Sequence, residues 1–171
     1  GINAAVYTTG VTLANALTVA SGNLTIQGSS LVGGIATPLP GSSATGSRYG
    51  FSSAAAGDIT VSGNISLAGT SVTFLGAYLL GDVLSTDGNV ALTGAGLYAM
   101  SLSAPVTAGT GANPRTLTIT TTGSNGYGLT TAAAAALSAT GSIALTAYST
   151  IGASGISIAA PIRSTLRGDV V

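Results

Sequence analysis

The chain of 171 residues contains no cysteine, histidine or tryptophan, and no lysine or glutamate either. Its ionised side chains are four arginines (Arg48, Arg115, Arg163, Arg167) and four aspartates (Asp58, Asp82, Asp87, Asp169), which cancel to zero net charge. Each absence excludes a class of chemistry. Without Cys there is neither a disulfide framework nor a thiolate metal site. Without His or Lys, the abundant Ser and Thr hydroxyls lack the bases that normally activate them as nucleophiles. Without clustered cations there is nothing to neutralise a phosphate backbone, so nucleic acid is not an expected partner. No catalytic residue, metal or cofactor is expected, and the chain is not expected to be an enzyme.

Long hydrophobic runs are also missing. The most apolar windows, residues 74–84 and 132–136, are short or interrupted by Gly, Thr or Asp, too weak for a membrane helix of about 20 residues. No membrane span is expected. The sequence opens Gly1-Ile2-Asn3 without Met, a basic segment or an apolar leader, which reads as a processed or excised start. Apolar residues nevertheless make up 46% and charged residues 5%. That balance is the reverse of a disordered chain's, so the sequence should fold.

What is present is a short recurring pattern. A glycine, usually followed by a small polar residue, precedes two apolar positions separated by Ser, Thr or Ala. Copies are Gly22-Asn23-Leu24-Thr25-Ile26, Gly57-Asp58-Ile59-Thr60-Val61, Gly63-Asn64-Ile65-Ser66-Leu67, Gly88-Asn89-Val90-Ala91-Leu92, Gly141-Ser142-Ile143-Ala144-Leu145 and Gly155-Ile156-Ser157-Ile158. Alternation of period two predicts short strands with one buried face. Gly and Asn at their starts predict corners.

The spacing of these strands predicts stacked coils rather than an ordinary sandwich. Ile65, Val90, Leu117 and Ile143 follow one another at 25, 27 and 26 residues, and Leu102, Leu129 and Ile156 at 27 and 27. Leu24 to Ile65 is 41 residues. The excess falls at residues 33–57, a Pro- and Gly-containing stretch read as a loop excursion. The Ala-rich stretch 132–139 reads as a strand with small inward residues or a short helical insert. Residues 163–171 read as a non-repetitive C-terminal tail. The expected fold is thus all-β: a single parallel β-solenoid domain over residues 1–171, with about six coils. An antiparallel β-sandwich or jelly roll, as in a pilin-like subunit, is the alternative.

Stacking aligns equivalent side chains, so Asn64 and Asn89 are expected to form a ladder, with Ser142 in the same column. Ionised residues are unwelcome in such columns because like charges would repeat one coil apart. The scarcity of charge follows from that geometry.

Runs such as Gly63-Asn64-Ile65-Ser66-Leu67-Ala68-Gly69 and Gly88-Asn89-Val90-Ala91-Leu92-Thr93 resemble the shaft repeats of filamentous-haemagglutinin-like two-partner-secreted adhesins and autotransporter passengers. The likeness covers about residues 57–162. It implies a right-handed parallel β-helix displayed outside a Gram-negative-type cell. The usual Lys and Glu of those repeats are missing, and there is no clear copy of their Asn-Pro-Asn-type secretion signature, which Asn113-Pro114-Arg115 matches only in part, so a secretion domain is not expected.

Functional candidates are few. Arg48, Tyr49 and Phe51 form the densest Arg-plus-aromatic cluster and are candidate ligand-binding residues. Arg167-Gly168-Asp169 spells the tripeptide read by integrins. Asp82 and Asp87 are two carboxylates that could flank a sugar bond or hold Ca²⁺, although solvated turn aspartates fit them better. Thr116, Thr118, Thr120 and Thr122 alternate as on an ice-binding face, without repetition at matching positions of neighbouring coils. The expected role is an extracellular, cell-surface shaft, or a subunit that associates end to end into fibres. A module binding a host glycan or receptor is the alternative, and a pectin-lyase-like enzyme a remote one.

Overall fold

The computed structural model describes residues 10–30, 49–72, 74–124, 126–150, 154–166 and 169–171. Three strands make one coil. The first coil holds β1 (Val11–Leu13), β2 (Leu17–Val19) and β3 (Leu24–Ser30); the second holds β4 (Phe51–Ser53), β5 (Ile59–Val61) and β6 (Ile65–Ser71). The third holds β7 (Leu75–Leu79), β8 (Val83–Ser85) and β9 (Val90–Gly96), and the fourth β10 (Tyr98–Leu102), β11 (Val106–Ala108) and β12 (Leu117–Gly123). The fifth holds β13 (Leu129–Thr131), β14 (Leu137–Ala139) and β15 (Ile143–Ser149), while β16 (Ile156–Ile158) and β17 (Ile162–Ser164) begin another. Five coils therefore carry all three strands, slightly fewer than the six expected.

Equivalent strands pair in parallel to give three sheets. Sheet I is β1-β4-β7-β10-β13-β16, sheet II is β2-β5-β8-β11-β14-β17 and sheet III is β3-β6-β9-β12-β15. At about 4.8 Å per step, the five steps of sheet I span roughly 24 Å along the coil axis. The β-solenoid is the fold, and the antiparallel sandwich is excluded.

The core is a set of apolar columns, aliphatic in sheets II and III. Leu24, Ile65, Val90, Leu117 and Ile143 are paired in register, and the last four are at most 1% exposed. Ile59, Val83, Val106 and Leu137 form the matching column of sheet II, again at most 1% exposed. The first series of offsets read from the sequence is thus the true register, including the 41-residue step from Leu24 to Ile65. The second needs correction: Met100, not Leu102, pairs with Leu129, and Leu102 pairs with Thr131. Both are buried apolar residues two positions apart on one strand, so alternation alone could not separate them.

Three further expectations change. Phe51–Ser53 belongs to sheet I, so the coil path has resumed before residue 57. Ile162–Ser164 pairs with β14, and the backbone of Asp169–Val171 bonds to that of β15, so residues 163–171 continue the coil where they are described. The Ala-rich stretch forms a turn, closed by the Ala135 N–H donating to the Ala132 carbonyl, followed by β14, not a helix.

Sheets I and III meet along a seam of small residues. Gly28, Gly69, Gly94, Thr121 and Ala147 are in register on sheet III. A Cβ on Gly69 would run into the Gly76 carbonyl of sheet I, and one on Gly94 into that of Ala99. Backbone approaches backbone there, which only glycine permits without displacement.

Candidate functional site

At the corner leading into sheet III, the Asn side chains do form a ladder, with a different chemistry from the amide stack expected. The Asn64 N–H donates to Asn23 Oδ1 (2.8 Å), the Asn89 N–H to Asn64 Oδ1 (2.9 Å) and the Thr116 N–H to Asn89 Oδ1 (2.8 Å). Each side chain thus accepts from the backbone of the next coil. Ser142 holds the same place one coil later, and its Oγ accepts from the Asp169 N–H at 3.4 Å. Asp58 does likewise at the entry to sheet II, accepting from the Asp82 N–H at 2.9 Å. Corner residues replace the ladder hydrogen bonds that turning strands cannot make.

Other hydroxyls near corners make comparable bonds. Ser53 Oγ accepts from the Leu80 and Gly81 N–H groups, and Thr131 Oγ1 from those of Ala159 and Ala160. Ser85 Oγ donates to the Gly63 carbonyl and accepts from the Gly88 N–H. These hydroxyls are structural.

Asp82 and Asp87 stand at opposite ends of β8 and have different surroundings. Arg115 reaches from the next coil to Asp87, with Nη2 at 2.6 Å and Nε at 3.2 Å from Oδ1. Its hydrogen bonds, and then its charge, hold the Asp87 carboxyl below the ordinary 3.8. Asp87 thus sits in an inter-coil ion pair. Among the described residues, no three acidic, His or Cys side chains gather as a metal site would require.

The Arg-plus-aromatic cluster divides. Arg48 lies outside the described residues. Phe51 is fully buried within the core, so it is no surface ligand residue. Tyr49 stacks on Tyr78, with ring centroids 5.1 Å apart and planes 26° from parallel, and tilts against Phe74 at 5.8 Å. In the tripeptide Arg167-Gly168-Asp169, the first two residues lie outside the described residues. Asp169 is exposed, while its backbone N–H bonds Ser142 and its carbonyl accepts from the Ile143 N–H.

Thr118, Thr120 and Thr122 of β12 face outward, and one of their columns does repeat: Thr93, Thr120 and Thr146 are aligned on three successive coils. The flanking columns read Ala91-Thr118-Ala144 and Ala95-Thr122-Tyr148. The regular array is therefore one residue wide.

Sequence reasoning missed an aromatic groove on sheet I. Phe74 packs edge-on against Tyr98 (5.8 Å, 72°), continuing the Tyr49–Tyr78 cluster along the coil axis. Phe74, Leu75, Tyr98, Met100, Ser101, Tyr127 and Thr130 enclose a groove of about 350 Å³. The Tyr98 N–H donates to the Phe74 carbonyl and the Ala99 N–H to that of Tyr127, so the three rings come from consecutive coils. The signal was available in the 24- and 29-residue intervals between these aromatics, which straddle the coil period, but variable corner lengths concealed it.

No protein-family model matches this sequence, and neither a curated protein nor a solved structure shows significant similarity to it.

Proposed function

We propose that the chain is a structural segment of an extracellular surface protein: a β-solenoid shaft, or a fibre subunit adding end to end, with no chemistry of its own. The observation that supports this most is the continuous parallel register of three sheets over successive coils. Load applied along such a rod is shared by whole rows of backbone hydrogen bonds. The polar groups that elsewhere would build a site are spent on coil-to-coil bonding, as in Asn23, Asn64, Asn89, Ser53, Ser85 and the Asp87–Arg115 pair. Val11, Leu17 and Leu24 are only partly buried, whereas the column members behind them, Phe51, Ile59 and Ile65, are at most 1% exposed. A further coil, from a longer polypeptide or a second copy, would extend the same columns by strand addition. Kinship with two-partner-secreted and autotransporter shafts fits this reading, as does a glycan or receptor on the host side.

Immunogold labelling of intact, unpermeabilised cells that produce the chain tests the location. Surface label is expected, and label that appears only after permeabilisation refutes it. Negative-stain microscopy of the concentrated protein tests association: rods longer than one chain are expected, and dispersed short particles argue against fibre formation.

A further inference from the structure

We infer that the groove between Phe74, Tyr98 and Tyr127 is a binding site for a neutral saccharide chain lying along the solenoid axis. The inference does not depend on the shaft reading, since the groove is complete within three coils of one chain.

Its chemistry selects the ligand. Among the described residues, no lining side chain carries a charge: the walls are Phe, Leu, Met, Tyr, Ser and Thr. A phosphate, a uronate polymer or a charged peptide would lose its hydration there without gaining an ion pair. Pyranose rings match better, because their apolar C–H faces stack on aromatic rings while their hydroxyls need donors and acceptors at the edges. The Tyr98, Tyr127 and Ser101 hydroxyls supply those around the groove, with Thr130 Oγ1, which donates to the Met100 carbonyl, left to accept.

The rings are also exposed and supported. Phe74, Tyr98 and Tyr127 are 37%, 40% and 44% exposed, in a chain of eight aromatic residues of which Phe51 is taken up by the core. Tyr98 lies so close over Gly126 that a Cβ at that position would strike its ring, and its other side packs against Phe74. The rings of Phe74 and Tyr98, from adjacent coils, have centroids 5.8 Å apart at 72°, so one offers its face where the other offers its edge. That spacing is close to the advance of one sugar in an extended chain and longer than the roughly 3.1 Å per residue of a polyproline II peptide, the other ligand that aromatic grooves accept.

The test is binding of the whole chain to cellohexaose, chitohexaose and maltohexaose by titration calorimetry, with intrinsic tyrosine fluorescence as a second readout undisturbed by Trp. Polygalacturonate and decaproline serve as competitors of other chemistry. At least one neutral hexasaccharide should bind, and Tyr127→Ala should weaken it about tenfold, the value of one lost stacking contact. Tyr148→Ala, on sheet III and 61% exposed, should change nothing. Tyr127→Phe retains the ring and keeps the test informative if the alanine variant proves unstable: it should preserve most of the affinity. No binding of any hexasaccharide, preferential binding of decaproline or polygalacturonate, or affinity equal in Tyr127→Ala and wild type would each overturn the inference.

Discussion

Replacing Thr121 by valine should stabilise the protein. Thr121 sits in the seam column that holds glycine in three earlier coils and alanine in the next. It is 1% exposed, and its Oγ1 has no hydrogen-bond partner. A buried, unsatisfied hydroxyl costs about 1–3 kcal/mol in desolvation. Valine keeps the branched shape and puts a methyl where the oxygen was, so most of that cost should be recovered. For a chain of this size, each kcal/mol moves Tm by about 2–4 °C, giving an expected rise of roughly 2–10 °C. Thr121→Ser is the control: it retains the hydroxyl, loses a methyl and should lower Tm. Urea unfolding followed by far-UV circular dichroism would show a higher midpoint at unchanged slope. Because solenoids can open coil by coil, amide exchange should place the added protection around β9, β12 and β15. A valine variant no more stable than wild type would refute the claim that this hydroxyl is an uncompensated burial.

Other substitutions probe the remaining devices. Gly69→Ala, whose Cβ would meet the Gly76 backbone, should cost about 1–3 kcal/mol or more, whereas Gly111→Ala, with nothing nearby, should be silent; equal melting temperatures would contradict the seam. Leu117→Ala should leave a cavity in the core and cost about 2–5 kcal/mol by denaturant titration. Asn64→Ala removes the acceptor of the Asn89 N–H and should cost about 0.5–1.5 kcal/mol, with faster exchange at that amide as its local signature. Asp87 has its folded-state pKa depressed by Arg115, so its contribution is present above the ordinary 3.8 and disappears as pH falls through the lower folded value. Asp87→Asn should therefore melt lower than wild type at neutral pH and converge with it in acid; parallel curves would show that the pair is energetically silent.

The coil was readable because its core demands are local and repeated. Ile65, Val90, Leu117 and Ile143 must all be aliphatic, and their corners must turn, so each copy restates the same rule. The Asn column was readable for the same reason, although its Oδ1-to-backbone bonding was not, because sequence cannot show where a side chain finds its donor. Positions with two equivalent apolar choices, such as Met100 and Leu102, defeated the register. Phe51 was misassigned to a surface cluster because its neighbours Arg48 and Tyr49 are polar or amphipathic, while only the pairing of β4 reveals that the chain has already turned inward. The aromatic groove depends on three residues from different coils at unequal spacing, so no window of sequence contains it.

The pairing of Leu24 with Ile65, and of Ile65 with Val90, makes the molecule divisible. Excising residues 65–89 would bring Val90 directly after Asn64, where it meets the same Leu24 neighbour and closes the same corner. Duplicating the same 25 codons would lengthen the rod by one storey without asking any existing side chain to change. Unequal crossing-over between such segments can thus alter reach in whole increments along sheet III, with the sheet I interior left to adjust where excision sets Phe51 against Met100 in place of Ala77.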